Sequence, residues 1–167
     1  MDRQILFSIG ACALGTVLVA RSERGVCAIL LGDDAQALER DLRQRFPHDE
    51  VVNAYVGLES LVAEVARYVS APRRSLGVPL DLRGSELERR VWNALREIPP
   101  GKTQTYSEIA RRLGVAATAK EVGEACAANP LAVAIPCHRV LRKDGSLGGY
   151  RWGLRRKRAL LERERAA

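Results

Sequence analysis

The sequence predicts an α+β protein in two parts. A small antiparallel-sheet α/β half spans residues 1–83, and a mainly helical half with a helix-turn-helix spans residues 84–167. Short β-rich runs broken by turn residues open the chain, three hydroxyl-x-x-Glu helix starts punctuate the second half, and charge divides unevenly between the halves.

Ile5 to Ile9, Thr16 to Ala20 and Val26 to Leu31 are strand-like runs separated by Gly10, Gly15 and Arg24-Gly25, a pattern that reads as an antiparallel meander. Ala35 to Phe46 follows as a charged helical stretch stopped by Pro47. Leu58, Leu61, Val62, Val65 and Val69 then paint one face of a second helix. Val78 to Leu82 is a candidate for a further strand. The only histidine of this half, His48, lies in a polar loop after a proline, and nothing here points to chemistry.

In the second half Ser85 with Glu88, Thr105 with Glu108, and Thr118 with Glu121 each fit the capping box, in which hydroxyl and carboxylate satisfy orphan amides. The first helix turns Leu87, Val91, Trp92 and Leu95 inward and stops at Pro99-Pro100-Gly101. The second runs from Tyr106 to Leu113 and ends at Gly114. After a short turn the third begins near Ala119, at helix-turn-helix spacing. On the third helix Ala119, Gly123, Cys126 and Ala127 fall at i, i+4, i+7 and i+8, so one face carries almost no bulk. Such a face admits either a neighbouring helix or the walls of a nucleic-acid groove.

Composition narrows the function classes. The 167 residues are 47% hydrophobic and 28% charged, with a formal net charge of +7. Residues 1–83 carry 10 basic and 11 acidic side chains, whereas residues 84–167 carry 17 and 9. The positive excess therefore lies wholly in the second half, which makes nucleic acid the leading partner class and a merely solvated basic face the alternative. Cys12, Cys27, Cys126 and Cys137 form no C-x-x-C pair and have only His48 and His138 beside them, so no metal site, cofactor or disulfide framework is expected. The absence of a long apolar run or secretory leader leads to the expectation of a soluble, cytoplasmic monomer without a membrane partner.

Cys137 lies in Ile135-Pro136-Cys137-His138-Arg139-Val140, between an apolar run and the turn Lys143-Asp144-Gly145. A nucleophilic thiol needs access, a base and nearby cations, which His138 and Arg139 could supply. In extended backbone, however, adjacent side chains diverge, so a bridging water or a turn would be needed to join Cys137 to His138. The other reading is a buried, inert cysteine.

Pro136-Cys137-His138-Arg139-Val140, with Asn129-Pro130 upstream and Gly148-Gly149-Tyr150 downstream, resembles the active-site signature of the O6-alkylguanine-DNA alkyltransferases, also called methylated-DNA–protein-cysteine methyltransferases. The similarity extends from Gly84 through Val91-Trp92, Ile98-Pro99, Gly101, Thr105-Tyr106 and Ala110 to Leu160-Leu161 and Glu164. Ala125-Cys126-Ala127-Ala128-Asn129 and Tyr150-Arg151-Trp152-Gly153 bring it nearest to the bacterial adaptive-response branch. The zinc and regulatory modules that precede this region in that branch are not expected here.

The resemblance implies an RNase H-like first half and a single-turnover repair reaction without cofactor. The alkyl group of O6-alkylguanine, and of O4-alkylthymine, in double-stranded DNA would pass to Cys137. His138 would take the thiol proton through a water, Glu164 would orient that imidazole, and Tyr106 would donate near N3 of the base. Backbone at Val140 and Tyr150 would read the guanine edge, Asn129 would tie the helix-turn-helix to the cysteine loop, and Trp152 would crowd the alkyl pocket, favouring methyl over benzyl adducts. DNA contacts would come from Ala119, Lys120, Gly123 and Ala127, with Thr105 and Arg139. Two positions depart from the pattern: Lys120 stands where an arginine is usual, and Glu121 where a small residue is usual. A third is Leu87, where an aromatic residue is common. The competing readings are a DNA-binding or transcription-regulating module without chemistry and a cysteine hydrolase.

Overall fold

The computed structural model describes residues 4–72, 76–114 and 117–165. Its first half comprises β1 (Gln4–Cys12), β2 (Gly15–Arg21), β3 (Val26–Gly32), α1 (Ala35–Arg45), β4 (Glu50–Asn53) and α2 (Glu59–Ser70). The meander is present, with β1–β2 and β2–β3 both antiparallel. The sheet is nevertheless mixed rather than antiparallel throughout, because β4 pairs in parallel with β1 in the order β3-β2-β1-β4. Parallel neighbours require a crossover, and α1 provides it. Four residues are too few for alternation to register as a strand signal. Val78 to Leu82 does not form a strand. It contributes one bridge, Val26 to Leu80, because Pro79 has no N–H and only its carbonyl engages Val26 N, at 2.8 Å.

Asp34 caps α1 by accepting from Gln36 N, and Leu38 and Leu42 are buried beneath the helix. Val62, Val65 and Val69 form the buried face of α2. The helix can approach β1 closely because Gly10 lacks a side chain: a Cβ there would lie 2.6 Å from Val62 Cγ1.

The second half comprises α3 (Glu86–Leu95), β5 (Gln104–Thr105), α4 (Tyr106–Leu113), α5 (Ala119–Ala128), a 3-10 turn (Cys137–Arg139), β6 (Val140–Leu141) and α6 (Leu154–Arg165). Ser85 with Glu88 and Thr118 with Glu121 form reciprocal capping boxes. At Thr105 only half of the box is made: its hydroxyl accepts from Glu108 N, while its backbone belongs to β5, paired in parallel with β6. The turn between α4 and α5 includes residues 115 and 116, which lie outside the described residues.

The larger of two apolar clusters among the described residues runs through both halves, joining Phe7, Ile29 and Leu30 of the sheet to Trp92, Ile109 and Val122 of the helices. Polar contacts reinforce the junction. Ile29 N donates to Pro130 O and Ala132 N to Ile29 O, both at 2.9 Å, so the segment leading to Cys137 rests on the outer edge of β3. Within the first half, Arg83 bonds Asp81 and Asp49 and lies over the Phe46 ring. Arg156 of α6 reaches back to Leu14 O and Asp33.

Inside the helical half, the buried Trp92 indole donates to Ala125 O at 2.9 Å. Replacing Trp92 with Phe keeps most of the apolar volume but leaves that carbonyl without its donor. The expected cost, measured by urea denaturation, is about 2 kcal/mol.

Candidate active site

Helix α5 ends at Asn129, whose following Pro130 cannot continue the helical hydrogen bonding. The chain then turns tightly twice before reaching the thiol. Ala134 N donates to Ala132 O across Val133, which has φ +60°, and Cys137 N donates to Ile135 O across Pro136. A β-branched residue in the left-handed region costs about 1–3 kcal/mol and persists only where its surroundings impose it. Here the anchorage to β3 on one side and the Asn129 side chain on the other impose it. Asn129 is fully buried. Its Oδ1 accepts from Leu131 N at 2.8 Å, and its Nδ2 donates to Ile135 O at 3.0 Å and to Cys137 Sγ at 3.3 Å.

Cys137 is 3% exposed, and burial pushes its thiol up to about 11, against the opposing effects of the Asn129 amide and the Lys157 charge. Because Cys137 to Arg139 form one 3-10 turn, not extended backbone, the side chains of Cys137 and His138 are not held to opposite faces. Behind the thiol, His138 Nε2 lies 2.6 Å from Glu164 Oε1. Arg139 Nε donates to both oxygens of the same carboxylate, its second terminal nitrogen adds a bond of 2.7 Å, and its first donates to Ile98 O at 2.6 Å. All three side chains are buried. Burial holds His138 below its ordinary value although Glu164 pulls it upward, so the imidazole rests neutral with Nε2 donating to Glu164. For Glu164 burial acts upward, but His138 and Arg139 outweigh it and hold the carboxyl below its ordinary value. Among the described residues His138 Nδ1 has no hydrogen-bond partner.

Cys137 opens onto a cavity of about 600 Å³. Ala119, Gly123, Cys126 and Ala127 form one wall, so the bare face of α5 is the pocket face. Tyr106 and Tyr150 add aromatic walls, and Lys120, Arg142, Lys143 and Arg151 bring positive charge to the lining. The Tyr106 ring is confined between α5 and Gly148: a Cβ on Gly148, at φ +69°, would lie 3.1 Å from the phenolic oxygen. Burial pushes the Tyr106 hydroxyl up to about 12, so it remains a donor at neutral pH. Burial likewise raises Tyr150 well above its ordinary value.

The structure does not bring every expected site residue to this cavity. Cys137, Tyr106, Tyr150, Ala119, Lys120, Gly123 and Ala127 line it, whereas His138, Glu164, Asn129 and Val140 stand behind it as support. Thr105 is engaged as the cap of α4. Arg139, expected at DNA, is buried with its donors on Glu164, Ile98 and Tyr68 and presents no free face. Trp152, expected to crowd the alkyl pocket, is also absent from its lining. It packs edge-on against Tyr150 with ring centroids 5.3 Å apart, so any effect on the pocket passes through that tyrosine. Glu121, standing where a small residue is usual, is held in the capping box with Thr118.

Cys126, on the small face of α5, also lines the pocket, and one residue enters the site unforeseen. Lys157 has a fully buried side chain whose ammonium donates to Val140 O at 2.7 Å, Leu147 O, and Gly149 O at 3.1 Å, thereby gathering the segment that forms the opposite wall. Burial lowers its ammonium to about 8. Its sequence signal was its spacing: Lys157, Leu160 and Glu164 fall at i, i+3 and i+7 on one buried helix face. Among the described residues no group of three or more His, Cys, Asp or Glu side chains could hold a metal ion, and no helix is long and apolar enough to cross a membrane.

Comparison with known proteins adds a family context. Residues 5–82 match the model described as 6-O-methylguanine DNA methyltransferase, ribonuclease-like domain, and residues 86–166 match 6-O-methylguanine DNA methyltransferase, DNA binding domain. The chain is 46% identical over 160 residues to the bifunctional transcriptional activator/DNA repair enzyme Ada of Escherichia coli, covering 96% of this chain and 45% of that protein. It thus spans less than half the length of that relative. It is 42% identical over 125 residues to the inducible methylated-DNA–protein-cysteine methyltransferase of Bacillus subtilis, covering 75% of this chain and 70% of that one. Its fold is similar to the crystal structure of Mycobacterium tuberculosis OGT in complex with DNA, with TM-score 0.81 and 31% identity over 96% of this chain and 93% of that chain.

The Lys157 charge favours the Cys137 thiolate, so removing it makes the thiolate scarcer. In Lys157→Met, iodoacetamide labelling of Cys137 at pH 7, followed by peptide mapping, is expected to slow about tenfold, the equivalent of one pKa unit. Unchanged labelling would mean that the ammonium serves only to hold its three carbonyls.

Proposed function

From the premise that this chain belongs to the 6-O-methylguanine DNA methyltransferase family, we propose that it repairs O6-alkylguanine in double-stranded DNA by moving the alkyl group irreversibly to Cys137. The observation that carries this reading is a buried cysteine thiol, hydrogen-bonded by Asn129, facing a cavity whose wall is the unbulky side of α5.

The Cys137 thiol gives its proton through a bridging water to His138 Nδ1, the ring nitrogen without a partner among the described residues. Glu164 stabilises the imidazolium so formed through Nε2. The thiolate attacks the sp3 carbon as the C–O6 bond breaks, and the bonding pair leaves on the guanine. Tyr106, protonated at neutral pH, donates a proton to the departing purine and is resupplied through solvent from His138. The products are S-methylcysteine and guanine. A thioether carries no labile proton and is a poor leaving group, so each chain acts once. No cofactor is needed, since the alkyl group itself is the electrophile.

The target carbon is inaccessible inside a duplex, and extruding the nucleotide costs a few kcal/mol. The small face of α5 is suited to close approach in the minor groove, and Lys120, whose side chain is 87% exposed, stands at its start to fill the vacated stack. Backbone near Val140 and Tyr150 would read the guanine edge, with Lys157 fixing its course. O4-alkylthymine is a further substrate. We propose a division into two domains at Arg83/Gly84 and action as a cytoplasmic monomer. The Cys137, Asn129, His138 and Glu164 arrangement favours chemistry over a binding-only module, which needs none of those contacts.

Mixing the protein with a duplex containing O6-methylguanine is expected to add one methylene equivalent to its intact mass, mapped to Cys137 and missing in Cys137→Ser. An unmodified chain, or methyl on another residue, contradicts the proposal. Lys120→Arg, which adds a planar stacking group, is expected to speed duplex repair in single-turnover assays. Glu121→Ala is expected instead to cost about 1 kcal/mol of stability through loss of the cap, measured by thermal unfolding.

A further inference from the structure

The last turn of α5 faces conflicting demands. Its carbonyls need donors and its negative dipole end favours cations, yet Ala125-Cys126-Ala127-Ala128 contains no basic residue, and two of these residues wall the pocket. Each of the four carbonyls is nevertheless met from elsewhere. Trp92 donates to Ala125 O, and Asn129 N donates to Cys126 O at 3.2 Å. Arg151 donates to Ala127 O at 3.1 Å, and Arg45 of α1 donates to Ala128 O at 3.3 Å.

The two arginines share one carboxylate. Asp41 of α1 receives Arg151 at 3.0 and 3.2 Å and lies 3.5 Å from Arg45 Nε. Arg151 also lines the pocket beside Tyr150, whereas Asp41 and Arg45 lie outside it. We propose that Asp41, Arg45 and Arg151 form a positioning clamp through which α1 of the first half sets the distance between the DNA-facing helix α5 and the opposite pocket wall. Asp41 and Arg45 are thus positioning residues for alkyl transfer from duplex DNA, although neither reaches the cavity. Without the carboxylate, two adjacent guanidinium groups repel each other at the helix end. Burial, and then the Arg151 charge, already lower Arg45 to about 10. A duplex presses its groove against α5 and needs the wall held in place, whereas a free base needs only the pocket and the thiol.

This inference rests on the repair reading above, and the two fail separately. Single-turnover methyl transfer is measured with an O6-methylguanine duplex and with free O6-methylguanine base, using the full chain. Asp41→Asn is expected to lower the saturating duplex rate roughly tenfold, as displaced catalytic geometry does, while the free-base rate stays at the wild-type level. Asp41→Glu restores the duplex rate. Arg45→Met, which leaves Asp41 and Arg151 intact, reproduces the selective loss and decides the matter if Asp41→Asn does not fold. Wild-type duplex rates in both variants, or equal losses on both substrates, overturn the clamp. A wild-type protein inert toward both substrates overturns the repair reading instead.

Discussion

The hydrogen bond from the Asn129 amide to the Cys137 sulfur joins the two things this molecule must hold in register, a helix that faces the cavity and an atom that lies at its end. The same side chain bonds Leu131 N and Ile135 O, so the turns of the cysteine loop, with Val133 at positive φ, close around one buried amide. Asn129 also closes α5, its backbone N–H donating to Cys126 O. Displacing the end of α5 therefore displaces the donor that meets the sulfur. The sheet serves the same end, because Ile29 of β3 bonds the chain on either side of Leu131.

Around this contact lies a buried region rich in charge. Glu164 carries two cationic or potentially cationic neighbours, Arg139 and His138, on one carboxylate. Leaving one of these charges unpaired costs about 3–5 kcal/mol, which explains why Arg139 is committed to the interior rather than to DNA. The resting thiol is protonated, because burial outweighs the Asn129 amide and the Lys157 ammonium. The proton needs a destination before sulfur can attack, and a neutral His138 already backed by Glu164 offers one. In the proposed reaction, nucleophile, base and charge partner would thus stand ready without a reactive thiolate being exposed to solvent.

Much of this was legible in local chemistry. The reciprocal caps at Ser85–Glu88 and Thr118–Glu121 marked the starts of their helices, and the bare spacing Ala119, Gly123, Cys126, Ala127 indicated the wall of the cavity. The chain also retained the Pro-Cys-His-Arg-Val signature, which singled out Cys137. What escaped depended on long-range partners. The strand β4 exists because β1 offers it a free edge, and Pro79 keeps its own segment to one bridge. Arg139 looked like a DNA contact by type, but Glu164, distant in the chain, draws it inward. Trp152 stands one layer behind Tyr150. Lys157 could have been noticed as a charge on an apolar stripe, yet the three carbonyls that justify it come from β6 and the irregular segment that follows it.

In the proposed reaction the Cys137 sulfur is used once, and counting repaired lesions tests this most directly. A fixed amount of protein is mixed with an excess of duplex bearing O6-methylguanine, and the guanine restored is followed to completion. The expected result is a plateau at one lesion repaired per intact chain, unaltered by longer incubation and renewed only by fresh protein. Continued repair beyond one equivalent, or no repair by folded protein with a free Cys137 thiol, would contradict it.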